Sequence, residues 1–109
     1  MMDIIPGSII FAGNVFAIIM SSPEENEFLC TKVEFNPDYM HRAFLDISDE
    51  SYFSSINEGK KIFSLCVKRK IKKDNIEKTF GVINETTLEK INIICDMELH
   101  SRNYEKQNG

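Results

Sequence analysis

The sequence predicts a mainly β domain with one C-terminal α-helix. Two observations lead there. From Ser8 to Lys73 the apolar residues fall in short runs, alternating or continuous, broken at Gly13-Asn14, Asn36-Pro37 and Gly59. Such runs between turn residues read as strands. After Asn84 the rhythm changes, and Leu88, Ile91, Cys95 and Leu99 recur at the spacing of one helical face. At 109 residues the chain makes one domain, spanning 1–100. That length buries about two-thirds of the unfolded surface without disulfide or metal staples.

Pro6-Gly7 favours turn or extended geometry ahead of a first strand, Ser8 to Ala12. A second strand runs from Val15 to Ser21, and Gly13-Asn14 supplies the hairpin turn between them. In the second strand Val15, Ala17 and Ile19 share one face and Phe16, Ile18 and Met20 the other. Both faces are apolar, so the strand should be central and covered on both sides. Another subunit is one candidate cover. Residues 21–27 form a polar turn. In "FLCTKVEF", residues 28–35, Leu29, Thr31, Val33 and Phe35 alternate with Phe28, Cys30, Lys32 and Glu34, a third strand. "NPDYMHR" follows as a loop. Between Ala43 and Asn57, "AFLDI" suits a short strand and "SDESYFSSINEG" one helical turn. In "KKIFSLCVKRKIKK", residues 60–73, Phe63, Leu65, Val67 and Ile71 share one parity and are assigned to the core face. Ser64, Cys66, Lys68 and Lys70 then face outward, and Arg69 swings to solvent at the strand end. Gly81 allows a strand-to-helix turn. Asn84 caps a closing helix over 84–100, and Glu85 suits its positive pole. The remainder, "SRNYEKQNG" (101–109), is polar and expected to be disordered.

Composition narrows the function classes. A net charge of −4 gives no global pull toward nucleic acid, so such binding needs a local basic patch. Cys30, Cys66 and Cys95 are odd in number and form no CxxC pair, which speaks against a disulfide framework or zinc site. A reduced, cytoplasmic setting fits, with the three thiols as small buried hydrophobes. The apolar stretch Ile9 to Met20 is broken by Gly13-Asn14, is too short for a membrane helix and lacks the basic flank of a signal peptide. No P-loop, GxGxxG, HExxH or GxSxG element occurs, so no cofactor or metal is expected.

Several stretches together resemble the small toxins of the MazF and PemK type: "IIPGSIIF" at the start, "VFAIIMSS" next, and "VKRKIKKDNIEKTFGVINETTLEKI" late in the chain. The likeness touches residues 4–99 and is closest over 62–95. It implies an SH3-like β-barrel with a closing C-terminal helix. It also implies a homodimer, metal-independent cleavage of single-stranded RNA, and an antitoxin or other protein partner. The resemblance places a catalytic arginine near the second strand and a Ser or Thr at the end of the third. Residues 1–31 hold no Lys, Arg or His, and the third strand ends "VEFNPD". RNA cleavage of this type needs a base for the 2′-OH and a cation for the developing phosphate charge. The chemistry has therefore moved to His41 and Arg42 or been lost.

The residues offer matching candidates. His41 and Arg42 lie together in a loop, a general acid/base beside a phosphate clamp. Lys68, Arg69 and Lys70 head the only concentrated basic run, Lys68 to Lys73, suited to a phosphate backbone. Tyr39 and Tyr52, with Phe44 and Phe53, offer stacking surfaces for single-stranded bases. Each has a structural counterpart. The loop can simply be solvated, and the basic run can guard an edge strand while Asp74 and Glu77 offset it. Three readings follow. One is a toxin-type single-stranded RNA binder or endoribonuclease. Another is a catalytically inert interaction module of the same fold, a degenerate toxin relative or a phage or plasmid protein that binds a host protein. The third is an unrelated α+β domain.

Overall fold

A computed structural model of the chain describes residues 3–108, and the side chains of residues 3–103. Among the described residues there are six strands: β1 (Ser8–Ala12), β2 (Val15–Glu24), β3 (Glu27–Phe35), β4 (Phe44–Asp46), β5 (Ile62–Lys72) and β6 (Lys78–Val82). A short helix α1 (Ser51–Ile56) lies between β4 and β5, and the long helix α2 (Glu85–Asn108) ends the chain. All pairings are antiparallel, in the order β4-β5-β3-β2-β1-β6. The edge strands β4 and β6 do not pair with one another. The closed barrel expected from the resemblance is therefore an open, mainly β sheet with helices laid on it. Among the described residues no helix is long and apolar enough to cross a membrane.

Hairpin β1-β2 forms because Gly13 and Asn14 both take positive φ, 55° and 64°. That is the turn geometry whose twist matches paired strands. The register Ile9↔Ile18 and Ile10↔Ala17 then sends alternate residues to opposite sides. Ile9, Ile18 and Met20 join Val33, Phe53, Ile62, Cys66, Ile91 and Cys95 in the main core. Ile10, Ala17 and Ile19 join Phe28 and Cys30 in a second cluster on the reverse face. Ile4, Ile71 and Ile76 pack against that cluster, so this chain itself supplies the second cover for β2. The polar turn expected over 21–27 is shorter, because β2 continues to Glu24.

Strand β5 corrects the core assignment. Ile62, Ser64 and Cys66 are fully buried; of the expected core parity Leu65 is buried in the main core as expected, while Phe63, Val67 and Ile71 are only half-buried. Ser64 Oγ donates to the buried Thr31 Oγ1 at 3.0 Å, so its hydroxyl does not count against burial. Helix α2 packs on β5 through Leu88, Ile91 and Cys95. Leu99, expected on the same face, is 60 % exposed, and Glu98 is buried instead. Helix α2 also continues from Ser101 to Asn108, where a disordered tail was expected; Gly109 lies outside the described residues. Gly81 is an ordinary residue of β6 and makes no turn.

The two helices are tied by one carboxylate. Glu50, just ahead of α1, is buried and accepts from the Asn84 N–H, from Asn84 Nδ2 at 2.9 Å and from Thr87 Oγ1 at 3.3 Å. Asn84 does open α2, since its carbonyl accepts from the Leu88 N–H. Its side-chain amide donates to Glu50 rather than capping. Glu50 thus sets a negative charge at the positive end of α2.

Candidate functional site

The loop between β3 and β4 and the basic end of β5 meet at Glu98. Main-chain pairing brings them together: the Cys66 N–H donates to the Ala43 carbonyl at 2.8 Å, which sets the loop beside β5 just before Lys68. Arg42 Nε then reaches Glu98 Oε2 at 2.8 Å, and Arg42 Nη2 reaches Oε1 at 3.2 Å. Arg102, one turn further along α2, donates from Nε to Glu98 Oε1 at 2.9 Å. Glu98 is only 6 % exposed. Its bonds to Arg42, and then to Arg102, hold its carboxyl below the ordinary range against the opposing effect of burial. Beside this cluster lies a recess of about 160 Å³ walled by Val67, Lys68, Cys95, Asp96 and Arg102. Three cations, Arg42, Lys68 and Arg102, here face two carboxylates, Glu98 and Asp96.

The basic run does not act as one patch. Neighbours on a strand point to opposite faces. Lys68 lines the recess under α2. Arg69 is paired with Cys30 on the reverse face, where its charge pulls down a thiol that burial pushes up. Lys70 lies 3.6 Å from Glu27 Oε1, and Glu27 stands opposite Lys72 in the register. The acidic end of hairpin β2-β3 thereby offsets the far half of the run.

His41 is fixed by its own loop. The Ala43 N–H donates to His41 Nδ1 at 2.9 Å. A neutral imidazole that accepts at Nδ1 carries its hydrogen on Nε2, which is then a hydrogen-bond donor. Tyr39 is 47 % exposed and begins a ladder of rings, 5.4 Å from Phe44, which is 5.3 Å from Phe63. Tyr52 lies elsewhere. It stacks on Phe80 at 4.8 Å within the aromatic group around Phe16, and that covered face is closed to a base.

Of the predicted residues, the fold brings Arg42 and Lys68 to α2 at Glu98 and its recess, sets Tyr39 and His41 beside Phe44, and turns Arg69 to the reverse face, Lys70 to Glu27 and Tyr52 to Phe80. Sequence reasoning missed Glu98 and Arg102. Their spacing of four on a helix was visible, but no local signal announces a partner 56 residues away. Compared with known proteins, the chain matches no family model and no curated protein.

Proposed function

We propose that the chain is a single-stranded RNA-binding protein of MazF/PemK-like build that seats a phosphate at the Lys68–Arg102 recess and does not cleave RNA. One observation carries this reading: the buried Glu98 bonds Arg42 of the loop and Arg102 of α2, and it lines one recess with Arg102 and Lys68 of the basic strand. A carboxylate that holds two guanidinium groups in place lowers the entropy they lose on meeting a phosphate. Tyr39, on the same loop, provides a ring for an adjacent base. The finer fold assignment, an SH3-like sheet of the toxin type, belongs to this reading. It is supported by the order of elements: a Gly-Asn hairpin, a third strand, a basic strand and a closing helix. A homodimer and a neutralising protein partner belong to it as well.

Two features speak for binding without catalysis. The Arg42 guanidinium is engaged by Glu98, and withdrawing it would leave the buried carboxylate with Arg102 as its one remaining bonded cation. His41 Nδ1 already accepts from the Ala43 N–H, which occupies a nitrogen that a base for a 2′-OH would use.

The test is fluorescence polarisation of a labelled oligouridylate, with gel analysis of the same RNA in EDTA. Lys68→Glu and Arg102→Glu should each weaken binding about tenfold and lower the salt slope by about one per charge. Arg69→Glu, on the reverse face, should change affinity far less. Equal losses at Lys68 and Arg69, or no loss at either, would remove the recess from the interface. Cut RNA would restore an enzyme. A second reading, an inert module that binds a protein, is favoured by Glu27, which lies against Lys70 and opposite Lys72. Absence of RNA binding at low salt would select it.

A further inference from the structure

Strands β2 and β3 separate at the end of the sheet that carries the Gly13-Asn14 turn. Their register runs as far as Ala17↔Lys32 and stops. Beyond it β2 stays on β1, with Phe16 opposite Phe11 and Val15 opposite Ala12. β3 stays on β5, with Glu34 opposite Phe63 and Phe35 opposite Ile62. The gap holds a recess of about 420 Å³, within the roughly 300–1,000 Å³ of small-molecule sites. Its apolar wall is three phenylalanines. Phe16 lies 5.1 Å from Phe11 and 5.4 Å from Phe35 between ring centroids, and all three side chains are only half-buried. Asn14, Lys32 and Glu34 supply the polar wall. Lys32 Nζ stands 2.9 Å from Glu34 Oε1, so a donor and an acceptor sit side by side at the rings. Phe35 is opposite Ile62, and Lys68 is about 20 Å further along β5 at roughly 3.3 Å per residue. This recess is therefore separate from the one at Glu98.

We propose that this recess binds a guanine base, carried by a free nucleotide or by single-stranded RNA. Half-open rings gathered in one recess offer a stacking surface that any base can use. The charged pair selects among bases. A carboxylate only accepts and an ammonium only donates. Guanine presents two adjacent donors, N1–H and the N2 amine, with the acceptor O6 beside them. Glu34 takes both donors through its two oxygens, and Lys32 donates to O6. Adenine, cytosine and uracil each offer a single donor group on that edge, so none satisfies both side chains. Guanine bridges the existing ion pair and leaves neither charge without a partner. A guanine held in RNA rests on the binding reading above, whereas a guanine held in a free nucleotide does not.

The experiment titrates guanosine 5′-monophosphate into the full chain by calorimetry and follows backbone amides by NMR. One site is expected, with shifts centred on residues 14–16 and 32–35. Inosine 5′-monophosphate lacks the N2 amine and should bind about tenfold more weakly. The adenosine and uridine monophosphates should bind more weakly still. Glu34→Gln should remove the preference for guanosine, and Phe11→Leu should weaken every nucleotide together, as loss of stacking does. The comparison of nucleotides on the unaltered chain keeps the test valid if either variant fails to fold. A second arm compares oligouridylate with the same strand carrying one central guanosine. Tighter binding of the guanosine strand, lost in Glu34→Gln, assigns RNA as the carrier. Bound monophosphate with no gain from the guanosine strand assigns the free nucleotide, and if neither strand binds, the RNA reading alone falls. Equal affinity for all four monophosphates, shifts centred away from the recess, or no guanosine effect in either arm would each overturn the proposal.

Discussion

Glu98 is the residue on which loop, strand and helix depend. Its two arginines are about half exposed, while its own carboxylate is nearly sealed from solvent. An unfolded glutamate titrates near a pH of about 4.3. The folded group titrates lower, because Arg42 and then Arg102 bond to its charged form. A depressed carboxylate contributes stability that is whole above the unfolded value and lost as pH falls through the folded one. Glu98→Gln should therefore lower unfolding stability by about 2 kcal/mol at neutral pH. The gap between variant and wild type should shrink in acid. Urea titrations at both ends of the range check this, and a loss equal at both would contradict it. Little of this was readable from residues alone. A glutamate on a helix reads as solvated, and its burial follows from Arg42 arriving from the loop ahead of β4. The placement of His41 and Arg42 in a loop was legible from Asn36-Pro37, whereas their bonding was not.

Among the elements, α2 shows most clearly how far a pattern reaches. Leu88, Ile91 and Cys95 announced its inner face, and all three pack on the main core. The pattern failed at Leu99, because by that point the face meets a polar loop rather than sheet. The start of α2 depends on Glu50, which accepts three hydrogen bonds there. Glu50→Gln should cost about 2 kcal/mol, since the new amide turns donors toward donors. Thermal melting checks this, and loss of signal from α2 should come first. Strand β5 teaches the complementary lesson. Both of its parities carry apolar residues, so alternation alone cannot say which side the helices cover. The choice fell to Ile62, Ser64 and Cys66, and the Thr31 hydroxyl makes a buried serine acceptable there.

At the scale of the molecule the sheet is open, with β5, β3, β2 and β1 inside and β4 and β6 at its edges. Interior strands, paired on both sides and buried on both faces, open only with global unfolding, while edges open locally. Amide exchange should therefore be slowest in β2 and β3, and faster in β4 and β6. Protection in β4 equal to that in β2 would mean that the sheet closes or that a further chain covers the edge. The strands, the hairpin turn and the terminal helix were decided by the sequence itself, because alternation, Gly-Asn turn chemistry and helical spacing act between near neighbours. Only the tertiary structure decided that the sheet stays open, that Lys68 and Arg69 part company across it, and that Glu98 gathers Arg42 and Arg102. Those outcomes depend on strand order, on which face the helices cover, and on charge pairs distant in the chain, none of which leaves a local mark on the residues involved.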